Sequence, residues 1–498
     1  MHSWQRMGVR LLGGLLPLAR PWVHPEMHED AAAAPIESAP LPPLFVVPVR
    51  QHIGESAEPV VDVGARVLRD EPIARPQGYV SAALHAPTSG TVVKIEEHAI
   101  VHPSGIGMRS IFIEADGEDR STGGWEGWPD WPERDPAELR ERIRACGIVG
   151  LGGALFPTFV KLARDPRHPI ETLILNGVEC EPWLACDHRL MVEEAERIVA
   201  GMAILRHVVG AARCVVAIEE NKPDAAEAME RASIAGGLHD VAVRLLPVRY
   251  PQGSERQLIE TITGRQVPAG RLPLHVGVLC VNVATSAAVA DAVLQGRPLT
   301  ERVVTLGGEA MPQPANLRVR IGTPIDFLLR RQGLLDLEGI EIIQGGPMMG
   351  ERVLYPEAPV TKGSNAILAM ARRPVEPESP CIRCGHCLQV CPAGLMPNEL
   401  AAHCRNDRFE QAEAFHLFDC IECGACSYVC PAHIPLVHYF RYGKGQVAAI
   451  RRARAFADAS RRRSEAREER LRREQEERAA RRRSRRPAAG AGVEERKQ

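Results

Sequence analysis

The chain has 498 residues, with 61 Lys and Arg against 63 Asp and Glu, but the charge is unevenly spread: from Arg451 onward 18 basic residues face 9 acidic ones, which leaves the remainder at −11. An acidic body excludes a basic nucleic-acid-binding face. No run reaches the roughly 18 apolar residues that cross a bilayer, which excludes an integral membrane protein and leaves a peripheral one open. Fourteen cysteines are too dilute for a disulfide scaffold, and nine of them fall between Cys381 and Cys430, a crowding that reads as metal chemistry in a reducing compartment.

Taken in chain order, residues 1–45 are a Pro- and Ala-rich arm. Its apolar stretch Leu11–Ala19 follows Arg10 but runs into Arg20-Pro21 with no small-residue cleavage site, so it is not read as a signal peptide. Residues 46–120 alternate short apolar runs with turn signals and predict an N-terminal β-sandwich of biotinyl/lipoyl type. Lys94 falls inside a strand pattern and Ser89-Gly90-Thr91 holds the turn, so this unit is read as a docking module rather than a cofactor carrier.

Residues 136–295 alternate helix and strand. Helices are predicted over Pro136–Cys146, His188–Val209, Asp224–Ser233 and Glu255–Ile262. Strands are predicted over Thr172–Asn176, Arg213–Glu219 and Val241–Val248. That alternation implies a parallel sheet in an α/β domain. Residues 296–350 predict a small α+β module, with strands at Arg302–Leu306 and Ile340–Ile343 and a helix at Ile325–Gln332. Residues 375–440 hold the cysteines. Residues 441–498 form an Arg-rich tail: Arg and Glu interleave over 461–478 as in a solvated helix, whereas RRRSRR at 481–486 reads as disordered. An anionic lipid surface would also attract such a segment.

The cysteines carry the strongest signal. CIRCGHCLQVCP (Cys381, Cys384, Cys387, Cys391) and CIECGACSYVCP (Cys420, Cys423, Cys426, Cys430) both read C-x2-C-x2-C-x3-C-P, the bacterial ferredoxin pattern for two 4Fe-4S clusters. Three Cys of one loop reach one cube, and the fourth starts a helix leading to the other. Cys381, Cys384, Cys387 and Cys430 are therefore expected on one cluster, and Cys391, Cys420, Cys423 and Cys426 on the second. Zinc ribbons are the other reading, but they need two Cys pairs per ion and no trailing Cys-Pro. Cys404, between the runs, and the scattered Cys146, Cys186, Cys214 and Cys280 are expected to be packed thiols.

Two loops stand out upstream. GLGGALFPT, Gly150–Thr158, is Gly-rich and precedes a helix running through Lys161, an arrangement that suits phosphate. It is not the dinucleotide fingerprint, because Leu155 fills the third Gly position and no strand precedes it. A tight turn between helices is the alternative. NGVECEPW, Asn176–Trp183, follows a predicted parallel strand, where α/β sheets place ligands. Glu179 and Glu181 there suit hydrogen bonding to a polar ring, or are simply a solvated loop.

The order GLGGALFPT, NGVECEP, YPQGSE (250–255) and NVAT (282–285) resembles the flavin-binding subunit of respiratory complex I. That resemblance implies Gly150, Gly152, Gly153, Ala154 and Lys161 at the phosphate of non-covalent FMN. It implies Asn176, Glu179, Tyr250, Gly253, Asn282 and Thr285 along the flavin, and Glu181 and Glu255 toward NADH. Glu179, Glu181 and Glu255 are the expected catalytic carboxylates. The chain departs from that family at Leu151, Leu155, Val178 and Ser254, where complex I carries Arg, Gly, Asp and Glu. QHIGE (51–55), LHAPTSGTV (84–92), IEENKP (218–223), QGGPMMG (344–350), FRYGK (440–444) and the double cysteine run extend the likeness across nearly the whole chain. Together they resemble the family of C subunits of Rnf ion-translocating electron transport complexes.

That resemblance implies a multidomain α/β oxidoreductase module, peripheral on the cytoplasmic face of a bacterial inner membrane. Its cofactors would be FMN and two 4Fe-4S clusters, with NAD(H) as substrate. Its partners would be other Rnf-type membrane and iron–sulfur subunits, with ferredoxin reached indirectly and no nucleic acid. The complex would couple electron transfer between NAD(H) and ferredoxin to Na⁺ or H⁺ translocation. A soluble diaphorase subunit of a hydrogenase-like complex is the alternative.

Overall fold

The computed structural model describes residues 22–484 except 29 and 124; Leu11–Ala19 and everything after Ser484 lie outside the described residues. Near the N-terminus, an antiparallel sheet of Leu44–Pro48, Gly107–Ala115, Gly90–Ala99 and Arg66–Val67 faces a three-stranded sheet of Glu58–Pro59, Pro72–Arg75 and Leu84–His85. Alternation along these strands turns Phe45, Val47, Ile73, Ile111 and Ile113 inward to a closed core. Lys94 lies within Gly90–Ala99 and pairs with Glu96 at 2.6 Å.

The α/β domain holds four parallel strands in the order Ala242–Leu246, Arg213–Glu219, Thr172–Gly177, Val278–Asn282. The three strands other than the edge Ala242–Leu246 are nearly continuous apolar runs, as burial on both faces demands. Helices Ala195–Val209 and Val283–Leu294 pack on one face and Glu255–Thr263 on the other. The first two touch backbone to backbone at Gly201, where a Cβ would stand 1.8 Å from the Ser286 carbonyl oxygen. Thr172–Gly177 starts the chain in one direction across the sheet, and Val278–Asn282 returns on its other side. A crevice opens where the order reverses, beyond the C-terminal ends of these two strands.

Two helices, Cys186–Glu193 and Ala195–Val209, stand where one apolar period over His188–Val209 predicts a single helix. The break is at Glu194, φ −131°, whose carboxylate is held by Arg197 and Arg318. A six-stranded mixed sheet contains the predicted strands Glu301–Gly307 and Ile340–Gln344. It also takes in Ile36–Ser38 from the arm and Ala366–Ala371 from beyond residue 350. The cysteine region is helical, and Cys404 is fully buried in its core, a packed thiol. The last helix runs from Leu436 to Ser484; its first turns bury Leu436, Phe440 and Val447, and from Arg451 to Arg481 every residue is exposed. Residues 481–484, expected to be disordered, continue this helix. Pairs such as Arg472–Glu476 support it, and no Pro or Gly interrupts it between Arg451 and Pro487.

Candidate functional site

A cleft of about 500 Å³ occupies the crevice at the strand-order reversal. Every residue expected at the FMN phosphate, along the flavin or toward NADH lines it, from Gly150 and Lys161 through Glu181 and Tyr250 to Glu255 and Thr285. Gln344 at the end of its strand in the mixed sheet, Gly346, Gly363 and Asn365 from loops beside that sheet, and Ile421 from the second cysteine loop also line it.

The Gly-rich loop is pinned at both ends. Gly150 N–H donates to Phe156 O at 2.9 Å, and Leu151 N–H to Thr285 Oγ1 at 2.8 Å. Between them the N–H groups of Gly152, Gly153 and Ala154 have no partner among the described residues. At Gly153, φ +93°, a Cβ would meet nothing within 4 Å. Free amide donors around an open space suit an anionic phosphate. Ile53 N–H of the QHIGE segment donates to Leu155 O at 3.1 Å, so the sandwich props this loop from behind.

Several expected flavin-lining side chains are committed to neighbouring loops. Asn176 Nδ2 donates to Gly253 O at 2.8 Å. Asn282 Oδ1 caps its helix through Ala284 N–H at 2.9 Å, and its Nδ2 donates to Asp187 Oδ2 at 2.5 Å. Glu179 is buried and accepts from Asp187 N–H and His188 N–H, both at 3.1 Å, satisfying the N-terminus of Cys186–Glu193. Lys161 Nζ meets Glu255 Oε1 at 2.8 Å, and that carboxylate raises the ammonium pKa against the opposing effect of burial. Asp187, not anticipated from sequence, reaches the cleft from the first turn of a helix whose start no capping motif signals.

Glu181 differs from Glu179. Its Oε2 accepts from Met348 N–H at 2.9 Å, while its buried Oε1 has no hydrogen-bond partner. Burial pushes the carboxyl up to about 7, opposed chiefly by the N–H groups of Met348 and Met349. An under-satisfied buried carboxyl on a cleft wall is the kind of group that waits for a ligand.

The eight cysteines of the two runs sort into two quartets. Cys381, Cys384, Cys387 and Cys430 ring one cavity; Cys391, Cys420, Cys423 and Cys426 ring another. Among the described residues no three His, Cys, Asp or Glu side chains converge tightly enough for a single ion. The quartets instead surround open space, as cubes require. Each loop turns through left-handed residues at matching places, Arg383 and Gly385 in the first, Glu422 and Gly424 in the second. The first quartet faces outward, with Cys381 and Cys384 exposed; in the second, Cys391, Cys423 and Cys426 are buried.

Three family models match the chain: the RnfC barrel sandwich hybrid domain over residues 21–118, the Nuo51 FMN-binding domain over 143–291, and the 4Fe-4S dicluster domain over 380–434. Curated relatives are named as the C subunit of an ion-translocating oxidoreductase complex. The Pseudomonas aeruginosa protein is 47% identical over 448 residues, 89% of this chain and 57% of that one. The Pectobacterium carotovorum protein is 44% identical over 432 residues, 86% and 57%. The Salmonella newport protein is 44% identical over 450 residues, 89% and 60%. The chain thus spans somewhat over half the length of these relatives. An NAD⁺-reducing NiFe-hydrogenase structure in the air-oxidised state aligns with 57% of this chain and 54% of its own at 21% identity and a TM-score of 0.43.

Proposed function

This chain belongs to the family of C subunits of the ion-translocating oxidoreductase complexes, and from that premise we propose that it is their NADH-facing electron-entry module. In this reading it is peripheral on the cytoplasmic face of a bacterial inner membrane, in a complex that couples electron transfer between NAD(H) and ferredoxin to ion translocation. One observation carries it: Ile421 of the second cysteine loop lines the same cleft as the Gly150–Ala154 loop, so a phosphate-cradling site and a cluster-type quartet share a boundary. FMN, when bound, takes electrons from a nicotinamide as a pair and releases them singly to acceptors such as 4Fe-4S clusters.

The residues divide that work. Gly152, Gly153 and Ala154 hold the phosphate with their amides. Asn176, Asn282, Thr285 and Glu179 keep the loops in register. Glu181 stands toward the nucleotide, and Lys161 with Glu255 sets the local charge. The acidic pair Glu181 and Glu255 disfavours the extra 2′-phosphate of NADP. The buried second quartet lies next to the cleft and the exposed first quartet faces the surface, so the first is the exit toward partner subunits. The N-terminal sandwich, of biotinyl/lipoyl type, serves as a docking module. A soluble diaphorase is the lesser reading, because the relatives are named as subunits of an ion-translocating complex.

The test is anaerobic. FMN-loaded, cluster-replete protein is mixed with NADH or NADPH while flavin bleaching and cluster reduction are followed. NADH should bleach the flavin well ahead of NADPH. If neither nucleotide does so, electrons enter from a partner and the proposal fails.

A further inference from the structure

Tyr250 was expected along the flavin, yet its hydroxyl donates to the Cys423 carbonyl oxygen at 2.6 Å, and the side chain is 1% exposed. Its backbone is held from the other side: Val23 N–H donates to Tyr250 O at 3.0 Å, and Tyr250 N–H to Val23 O at 2.8 Å. Cys423 belongs to the quartet beside the cleft. Its neighbour Gly424 is seated on the QGGPMMG loop so closely that a Cβ would stand 2.5 Å from Met348 O. The arm, the flavin-type domain and the cysteine domain therefore meet at one phenol.

We propose that Tyr250 is a positioning residue that fixes the Cys420–Cys426 loop over the cleft and, through the Cys423 peptide, raises the reduction potential of the cluster held there. The inference rests on the electron-transfer reading above. A ligand cysteine's carbonyl presents negative partial charge close to its cluster. A phenol proton on that oxygen withdraws part of the charge, so an added electron is better accommodated. Hydrogen bonds around a cluster are among the levers that set its potential, and in a dry interior this one is poorly screened.

The test is a redox titration of the full-length, cluster-replete chain with a chemical reductant, read by electron paramagnetic resonance. Cys384→Ala, which strips the first quartet, identifies which signal belongs to which cluster. Tyr250→Phe should lower the potential of the second-quartet cluster and leave the first unchanged, with iron content retained. Electron equilibrium between flavin and cluster should move toward the flavin by roughly fivefold, the weight of one net hydrogen bond. Fluorotyrosine placed at 250, a stronger donor of nearly the same size, should shift the same potential upward. It keeps the test decisive if the Phe variant folds poorly. No shift with either substitution, or equal shifts of both clusters, overturns the proposal. The reductant bypasses the nucleotide, so this result is independent of whether NADH is the donor.

Discussion

At Glu181 a carboxyl pushed up to about 7 by burial has a direct consequence for stability. Well below pH 4.5 it is neutral both folded and unfolded. Between there and pH 7 the folded chain keeps a proton that the unfolded chain releases, so stability falls as pH rises through this window. Above pH 7 the full penalty stands, on the order of 3 kcal/mol. Glu181→Gln should therefore melt higher than the parent at pH 8 and together with it about a pH unit below 4.5, measured without nucleotide. Gly253 makes a second point. A Cβ there would lie 2.5 Å from the Val178 carbonyl oxygen, which is backbone and cannot step aside. Gly253→Ala should cost about 1–3 kcal/mol and weaken flavin retention. Sequence motifs bring Glu179 and Glu181 forward as equals, because spacing carries no information about which carboxylate a helix N-terminus will capture. Asp187 escapes a sequence reading because its helix starts after Ala185, with no capping residue to mark it.

Among elements, the cysteine loops are the most legible. A C-x2-C-x2-C-x3-C-P run encodes both the turn and the helix that follows, and the cavities pair Cys430 with the first loop and Cys391 with the second. Cys430→Ala should accordingly extinguish the signal of the Cys381–Cys387 cluster and spare that of its own run. Loss of the Cys420–Cys426 signal alone would contradict the crossing. Ile36–Ser38 is hidden in a Pro- and Ala-rich arm because a three-residue edge strand has too short a period to register. Ala366–Ala371 is hidden because AILAMA, buried over its first four residues, shows no alternation. The break at Glu194 depends on Arg318, a partner 124 residues away that no local window contains.

At the scale of the molecule, the sheets and a helical domain are tied together through few but buried contacts. Lys362 Nζ bonds Ala83 O of the sandwich at 2.9 Å and Gly147 O of the α/β domain at 2.7 Å. No helix among the described residues is long and apolar enough to cross a membrane. The tail helix from Arg451 onward touches little else, so a chain ending at Ser460 should keep its melting temperature and, in the function proposed above, most of its membrane association through partner subunits. Complete release on truncation would make the tail the anchor. The joint at Tyr250 also sets an order of events in time. Val23 leaves the ribosome early, but Tyr250 must follow before it has a partner, and Cys423 comes 173 residues later still. At bacterial synthesis rates the stretch from Asn365, the last cleft-lining residue before the cysteine domain, to Ile421 takes roughly 3–11 s. For that long a crevice otherwise complete has no cysteine loop beside it, so the site is more open in the chain still being made than in the finished one.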